Sequence, residues 1–311
     1  MASTESKADV VRSLSADLAE EQQSLRRVLA SITEAEWSRP TPAKNWTIQD
    51  QIAHLAHFDF VTRLAISQPE RFIDVRGTMT DLQTYVDHIG PANLSRTSED
   101  MRRWWAQESE KLHEAISAAD PNVRVPWFGP AMSLPSKITA RIMETWAHGQ
   151  DVRDALEVIA EPSPRLPHVA RIGALTFPNS FTARGLDVPD QPVRVVLDTP
   201  DGHEWTAGPE DAEDVVSGPI EDFCLVVTQR RHIADTSLQT VGATAAQWME
   251  IAQAFAGPAG EGRRPGQFAR RDRLWRSRTL TVHATQPPLD FPAQCGRLTV
   301  SELGRTASAG V

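Results

Sequence analysis

The sequence predicts a helical bundle followed by a smaller α+β domain. Apolar residues recur at helical spacing through four long segments before residue 160, and the text turns proline-rich at Pro162-Ser163-Pro164 and mixed beyond it. A chain of 311 residues also exceeds what one core usually supports, about 150 residues, so two domains are expected.

In the first segment Val10, Leu14, Leu18, Leu25, Val28, Leu29 and Ile32 repeat every three, four or seven positions, with Glu20, Glu21 and Arg26 between them. One face can therefore be buried while the other stays wet. Thr33 with Glu36 can cap a short turn leading to Trp37, after which Pro40 and Pro42 interrupt regular backbone hydrogen bonding. Thr47 and Asp50 fit a variant of the capping box and open a second helix carrying Ile48, Ile52, Leu55 and Leu64, with Pro69 marking its end. A third helix is expected over 100–118 and a fourth over 134–159, the latter using Ile138, Ile142, Trp146, Val152 and Leu156. Four such helices can bury their stripes only together. The connections 72–93 and 122–133 exceed minimal bundle loops, which leaves room for one to cover a pocket.

Beyond the prolines, 193–197 reads as a strand, Asp201-Gly202 as a turn and 204–207 as the returning strand. Ile220, Phe223, Cys224 and Val227 suggest a short helix, 237–241 a strand and 243–255 a helix. The domains are thus placed at 1–163 (bundle) and 164–260 (α+β), with 261–311 an arginine-rich, flexible extension. Between Arg263 and Arg278 the sequence sets seven arginines, Arg263, Arg264, Arg270, Arg271, Arg273, Arg276 and Arg278, against a single acid, Asp272.

The whole chain carries 32 basic and 41 acidic side chains, a net charge of −9. Nucleic acid is therefore not an expected partner, except through the extension. Two cysteines, Cys224 and Cys295, are too few for a disulfide framework or a cysteine-rich zinc site, and Cys224 reads as a packing residue. No apolar run approaches the ~20 residues that span a bilayer, and the first residues lack a signal-peptide core, so no membrane association and a cytoplasmic location are expected. A bundle face and an intermolecular face share one periodicity, which leaves homodimerisation open.

The residues that could carry chemistry lie in the second and fourth helices. QIAHLAHFD sets His54 beside His57, and METWAHGQD sets Glu144 and His148 four residues apart, on one helical face. Asp151 continues that stripe. A carboxylate with two neutral imidazoles suits a divalent cation and leaves a coordination position open, as a catalytic site requires. The spacing alone is weak evidence, since histidine pairs in helices are usually explained by surface exposure or ordinary hydrogen bonding.

The text TPAKNWTIQDQIAHLAHFD, then METWAHGQDVRDAL, then EDFCLVVTQRRHIADT and GATAAQWMEIAQAFAG resembles the DinB-like, mycothiol-dependent maleylpyruvate isomerase superfamily, nearest to an actinobacterial branch of metal-binding proteins. The likeness runs from about residue 8 to 257. It implies a DinB-like four-helix bundle followed by a smaller α/β domain resembling the sterol-carrier-like C-terminal domain of maleylpyruvate isomerases. His54, Glu144 and His148 match its metal positions, with zinc the leading metal, and His57 is kept as a nearby donor or alternative ligand. Asp151 matches an acidic position behind the ligands, there to orient His148 or to meet an arginine. Arg230 and Arg231 match basic residues that hold anionic groups of substrate or thiol cofactor at the cleft.

The resemblance thus implies a mycothiol-dependent isomerase or S-transferase-like enzyme, acting on a small electrophilic or anionic substrate with mycothiol or another low-molecular-weight thiol. Hydrolysis by a metal-dependent site, and a non-catalytic ligand-binding or stress-associated protein, remain the competing expectations.

Overall fold

Ser6 receives the Asp9 amide while Asp9 accepts from the Ser6 amide, and this reciprocal cap starts helix α1 (Lys7–Ala30) of a computed structural model that describes residues 6–79, 81–160 and 162–268. A 3-10 turn, Glu34–Ser38, carries the buried Trp37. The Thr47–Asp50 capping box then opens α2 (Ile48–Ser67), as its sequence predicts. Pro69 does follow its end, but as the first residue of another helix, α3 (Pro69–Gly77), where a missing N–H costs nothing. The connection goes on through α4 (Leu82–Asp87) to α5 (Ser98–Ala118). A two-residue hairpin, β1 (Arg124–Val125) and β2 (Met132–Ser133), leads into α6 (Leu134–Leu156).

Helix α6 stops three residues before the expected position 159. Glu157 turns left-handed (φ 57°), its N–H folds back on the carbonyls of Arg153 and Asp154, and Ile159 is left exposed. The second domain begins with α7 (Leu166–Leu175) and α8 (Phe177–Thr182), two helices the sequence did not suggest. Strands β3 (Val193–Asp198) and β4 (Glu204–Ala207) form the expected hairpin. The unexpected β5 (Asp214–Pro219) pairs parallel to β3, followed by α9 (Ile220–Val227), β6 (Gln239–Val241) and α10 (Ala243–Ile251). The sheet order is β4-β3-β5-β6. Helix α10 ends before the predicted 255 because the chain extends there, and the Ala254 amide bonds the Val227 carbonyl at 2.7 Å. Of the arginine-rich extension, 261–268 is described and the remainder lies outside the described residues.

Helix α6 serves two cores. Leu134, Ile138, Ile142 and Val152 pack into the bundle with Leu18, Leu25, Ile52 and Leu112. Met143, Trp146 and Ala147 pack into the second core with Leu166, Val169, Phe223 and Trp248. Trp146, part of the fourth helix's apolar stripe in the sequence, therefore belongs to the other side. Cys224 is fully buried there, and burial pushes its thiol well above the usual range. None of the described helices is long and apolar enough to cross a membrane.

The bundle closes around one polar hub. The fully buried carboxylate of Asp59 (α2) accepts Nε and Nη2 of Arg141 (α6) at 3.1 and 2.8 Å. Gln22 of α1 and Trp105 and Ser109 of α5 complete its hydrogen bonds at 3.0–3.1 Å. Arg141→Met should destabilise the protein by about 3–5 kcal/mol in urea unfolding, since it strands a buried carboxylate. A loss below about 1 kcal/mol would mean the hub contributes little.

Candidate metal centre

The hub aligns α2 with α6, and five residues before Asp59 the α2 face presents His54. Its Nε2 lies 3.1 Å from Oε2 of Glu144, and Nε2 of His148 lies 3.7 Å from the same oxygen. One ligand-capable atom from each of the three residues falls within 4.8 Å of the others, and this is the one such group found among the described residues. Phe58 and Trp46 wall the site: the Phe58 and Trp46 rings lie 4.5 and 5.3 Å from His54, and Trp46 stacks on His148 at 5.7 Å and 19°. Gln51, one turn before His54, meets Nδ1 of His148 through Oε1 at 2.5 Å.

Burial pushes the His54 imidazole down despite its hydrogen bond to Glu144, and pushes His148 well below its usual range, with the charge of Arg230 acting the same way. Burial alone would raise the Glu144 carboxyl. The hydrogen bond donated by His54, with the Arg141 guanidinium, outweighs that and holds it ionised. Arg141 reaches the Glu144 carboxylate at 3.7 Å while it satisfies Asp59. Two imidazoles and one carboxylate brought this close are a donor set that could hold a metal ion. Among the described residues His54 Nδ1 is buried without a hydrogen-bond partner, and the polar contact of that ring runs through Nε2.

His57 does not join this group. It turns toward α4, where the Tyr85 hydroxyl meets its Nε2 at 2.5 Å. Asp151, fully buried one turn past His148, takes the arginine option: Oδ2 accepts from Arg230 at 2.8 Å and Oδ1 from Arg263 at 2.8 Å. The two neighbouring arginines part company. Arg230 also donates to the Ala147 and Thr228 carbonyls, and its charge acts on both His54 and His148. Arg231 is fixed away from them by both oxygens of Asp154 at 2.7 Å, with the Phe268 ring over its guanidinium at 3.7 Å. His232 is a local partner, to the Ala234 amide and Glu250.

Sequence reasoning missed Arg141, Asp59, Gln51 and Lys137, all polar and all buried. Lys137 lies with its Nζ 2.8 Å from the Trp127 ring centroid, and burial pushes its amine well below the usual range. The available signal was spacing, since 137, 141, 144 and 148 run along one face of α6. Arg263 carried no such signal, because its contact with Asp151 bridges 112 residues of chain.

Residues 18–153 match the family model of the mycothiol maleylpyruvate isomerase N-terminal domain. Two uncharacterized proteins of Mycobacterium tuberculosis, one from each of two strains, are 40% identical over 256 residues, 80% of this chain and 97% of theirs. Crystal structures of the mycothiol-dependent maleylpyruvate isomerase and of a mutant of it share the fold at TM-scores of 0.50 and 0.51, with 17% identity. They cover 71% of this chain and 90% of their own.

Burial, with His54 beside it, pushes His57 down to about 4 from 6.5. Between those values the unfolded chain binds a proton that the native state does not, so stability is present above pH 6.5 and is lost as pH falls toward 4. His57→Phe should flatten the pH dependence of the urea midpoint in that window, by up to ~1.4 kcal/mol per pH unit. An unchanged slope from pH 7 to 4 would show that His57 titrates normally.

Proposed function

We propose that this chain, which belongs to the DinB-like, mycothiol-dependent maleylpyruvate isomerase fold family, is a metal-dependent thiol transferase or isomerase acting on a small electrophilic substrate with mycothiol or a similar low-molecular-weight thiol. The observation that carries this reading is the convergence of His54, Glu144 and His148 from two helices on one point. We assign the three side chains to a divalent cation, zinc foremost, and the second domain to the sterol-carrier-like type. A cation so held supplies Lewis acidity that lowers a thiol's pKa and makes the thiolate available near neutral pH.

The remaining chemistry belongs to the protein. Trp46 and Phe58 exclude water from one side of the imidazoles. Of the two arginines we assign the anionic group of a substrate or thiol to Arg230, whose charge reaches both imidazoles, although its fork already holds Asp151. Among the described residues three of its five N–H groups meet protein acceptors. Arg231, covered by Phe268 and paired with Asp154, serves as a support rather than a contact.

Natively purified protein is expected to contain about one divalent cation per chain by mass spectrometry of metals. His148→Ala and Glu144→Ala should weaken retention by more than the ~10–100-fold caused by losing a supporting partner. Incubation with mycothiol and a panel of electrophiles, followed by product mass spectrometry, should show thiol-dependent product that disappears with the metal. Product without thiol would mark a hydrolase, and tight binding without product a non-catalytic protein. Undiminished metal in either variant would end the assignment of that residue.

A further inference from the structure

The contact between Gln51 and His148 carries more information than its length. Gln51 is fully buried, so its amide is satisfied by protein groups. Its Nε2 donates to the Thr41 hydroxyl at 2.9 Å, and that hydroxyl donates to the Trp46 carbonyl at 2.9 Å. A hydroxyl has a single proton. Once Thr41 gives it to Trp46, Thr41 can only accept from Gln51, so the amide oxygen must be the atom that faces His148. That oxygen accepts, and the hydrogen bond at 2.5 Å therefore places the imidazole proton on Nδ1. The flipped amide would keep two of these three bonds, with Thr41 donating to Gln51 and Gln51 to the ring, and would abandon the third. The arrangement with the proton on Nδ1 is favoured by the extra hydrogen bond.

The consequence lies on the other edge of the ring. With Nδ1 protonated in the neutral imidazole, Nε2 keeps its lone pair, and Nε2 is the atom turned toward Oε2 of Glu144 at 3.7 Å. The turn before α2 supplies both restraints on the ring. Thr41 fixes Gln51 at its edge, and Trp46 stacks on its face. That turn is itself closed by the Thr41 amide on the Trp46 carbonyl at 2.7 Å and the Trp46 amide on the Ala43 carbonyl at 3.0 Å.

We propose that Gln51 is a positioning residue that sets the tautomer of His148, through the relay Trp46 carbonyl, Thr41 hydroxyl, Gln51 amide, so that the Nε2 lone pair is presented to the cation. This rests on the metal-site reading above. Partners of this kind on the remote nitrogen of a ligating histidine raise its basicity and fix its orientation, and removing one weakens metal binding ~10–100-fold.

Two measurements separate the proposal from the reading beneath it. Long-range proton–nitrogen correlation spectra of the metal-free, full-length protein at pH 8, with His148 assigned by its loss in His148→Ala, should show a protonated Nδ1 and a bare Nε2. In Gln51→Leu that preference should give way to a mixture. Competition between protein and a zinc chelator should then show Gln51→Leu weakened ~10–100-fold, and Gln51→Glu, which keeps an acceptor on Nδ1, within a few-fold of the parent. A His148 ring protonated on Nε2 in the parent, or a Gln51→Leu variant that binds zinc as the parent does, would overturn the proposal. If the parent takes up no zinc at all, the metal reading fails, and the tautomer spectrum of the parent still decides the role of Gln51. That spectrum needs no variant of Gln51 to fold.

Discussion

The buried ion pair between Asp59 and Arg141 sets the geometry on which the site depends. Packing alone lets two helices slide by a fraction of a turn at little cost, because apolar contacts have no direction. A carboxylate that receives two bonds from one arginine and one each from Gln22, Trp105 and Ser109 has direction, and it ties α2 to α1, α5 and α6 at one level of the bundle. His54 lies five residues from that level on α2, and Glu144 and His148 lie three and seven residues from it on α6. A slip of one helix against the other would break the hub and part the imidazoles together. The same guanidinium stands 3.7 Å from Glu144, so the group that fixes the register also favours the ionised carboxylate.

The long stripes of the four bundle helices and the Thr47–Asp50 cap are legible in the sequence because each is a local pattern repeated over many residues. What escaped was short or proline-bearing. Helices α3 and α7 carry Pro69 and Pro167 in their first turns, where proline reads as a breaker yet is well accommodated. Strand β5 ends in Gly218-Pro219 and shows one fully buried valine, Val216, so it resembles a turn, although β3 and β6 flank it on both sides.

The site was legible to the extent that it repeats on one helix. Glu144 and His148 announce themselves by spacing, whereas the choice between His54 and His57 needs the third dimension. Three residues apart on a helix they diverge by about 60°, enough to send one ring to α6 and the other to Tyr85. Arg230 and Arg231 likewise differ only by which carboxylate reaches them, Asp151 or Asp154. Gln51, Asp59 and Arg141 interrupt apolar faces, and in a sequence such interruptions look like loss of pattern rather than the polar skeleton of a core.

Charge balance around the triad bears on what would complete it. Asp59, Glu144 and Asp151 stand against Arg141, Arg230 and Arg263, so this buried neighbourhood is close to neutral as it stands. Its arginines push protons off His54 and His148, which readies the lone pairs, but they also oppose the entry of a dication. On the proposed reading, affinity must therefore come from donor geometry, and a bound dication leaves about two uncompensated positive charges in a setting of reduced dielectric. An anionic ligand at the remaining position relieves that excess and a neutral one does not. On the proposed reading the protein's own ion pairs thus favour a thiolate over a thiol at that position.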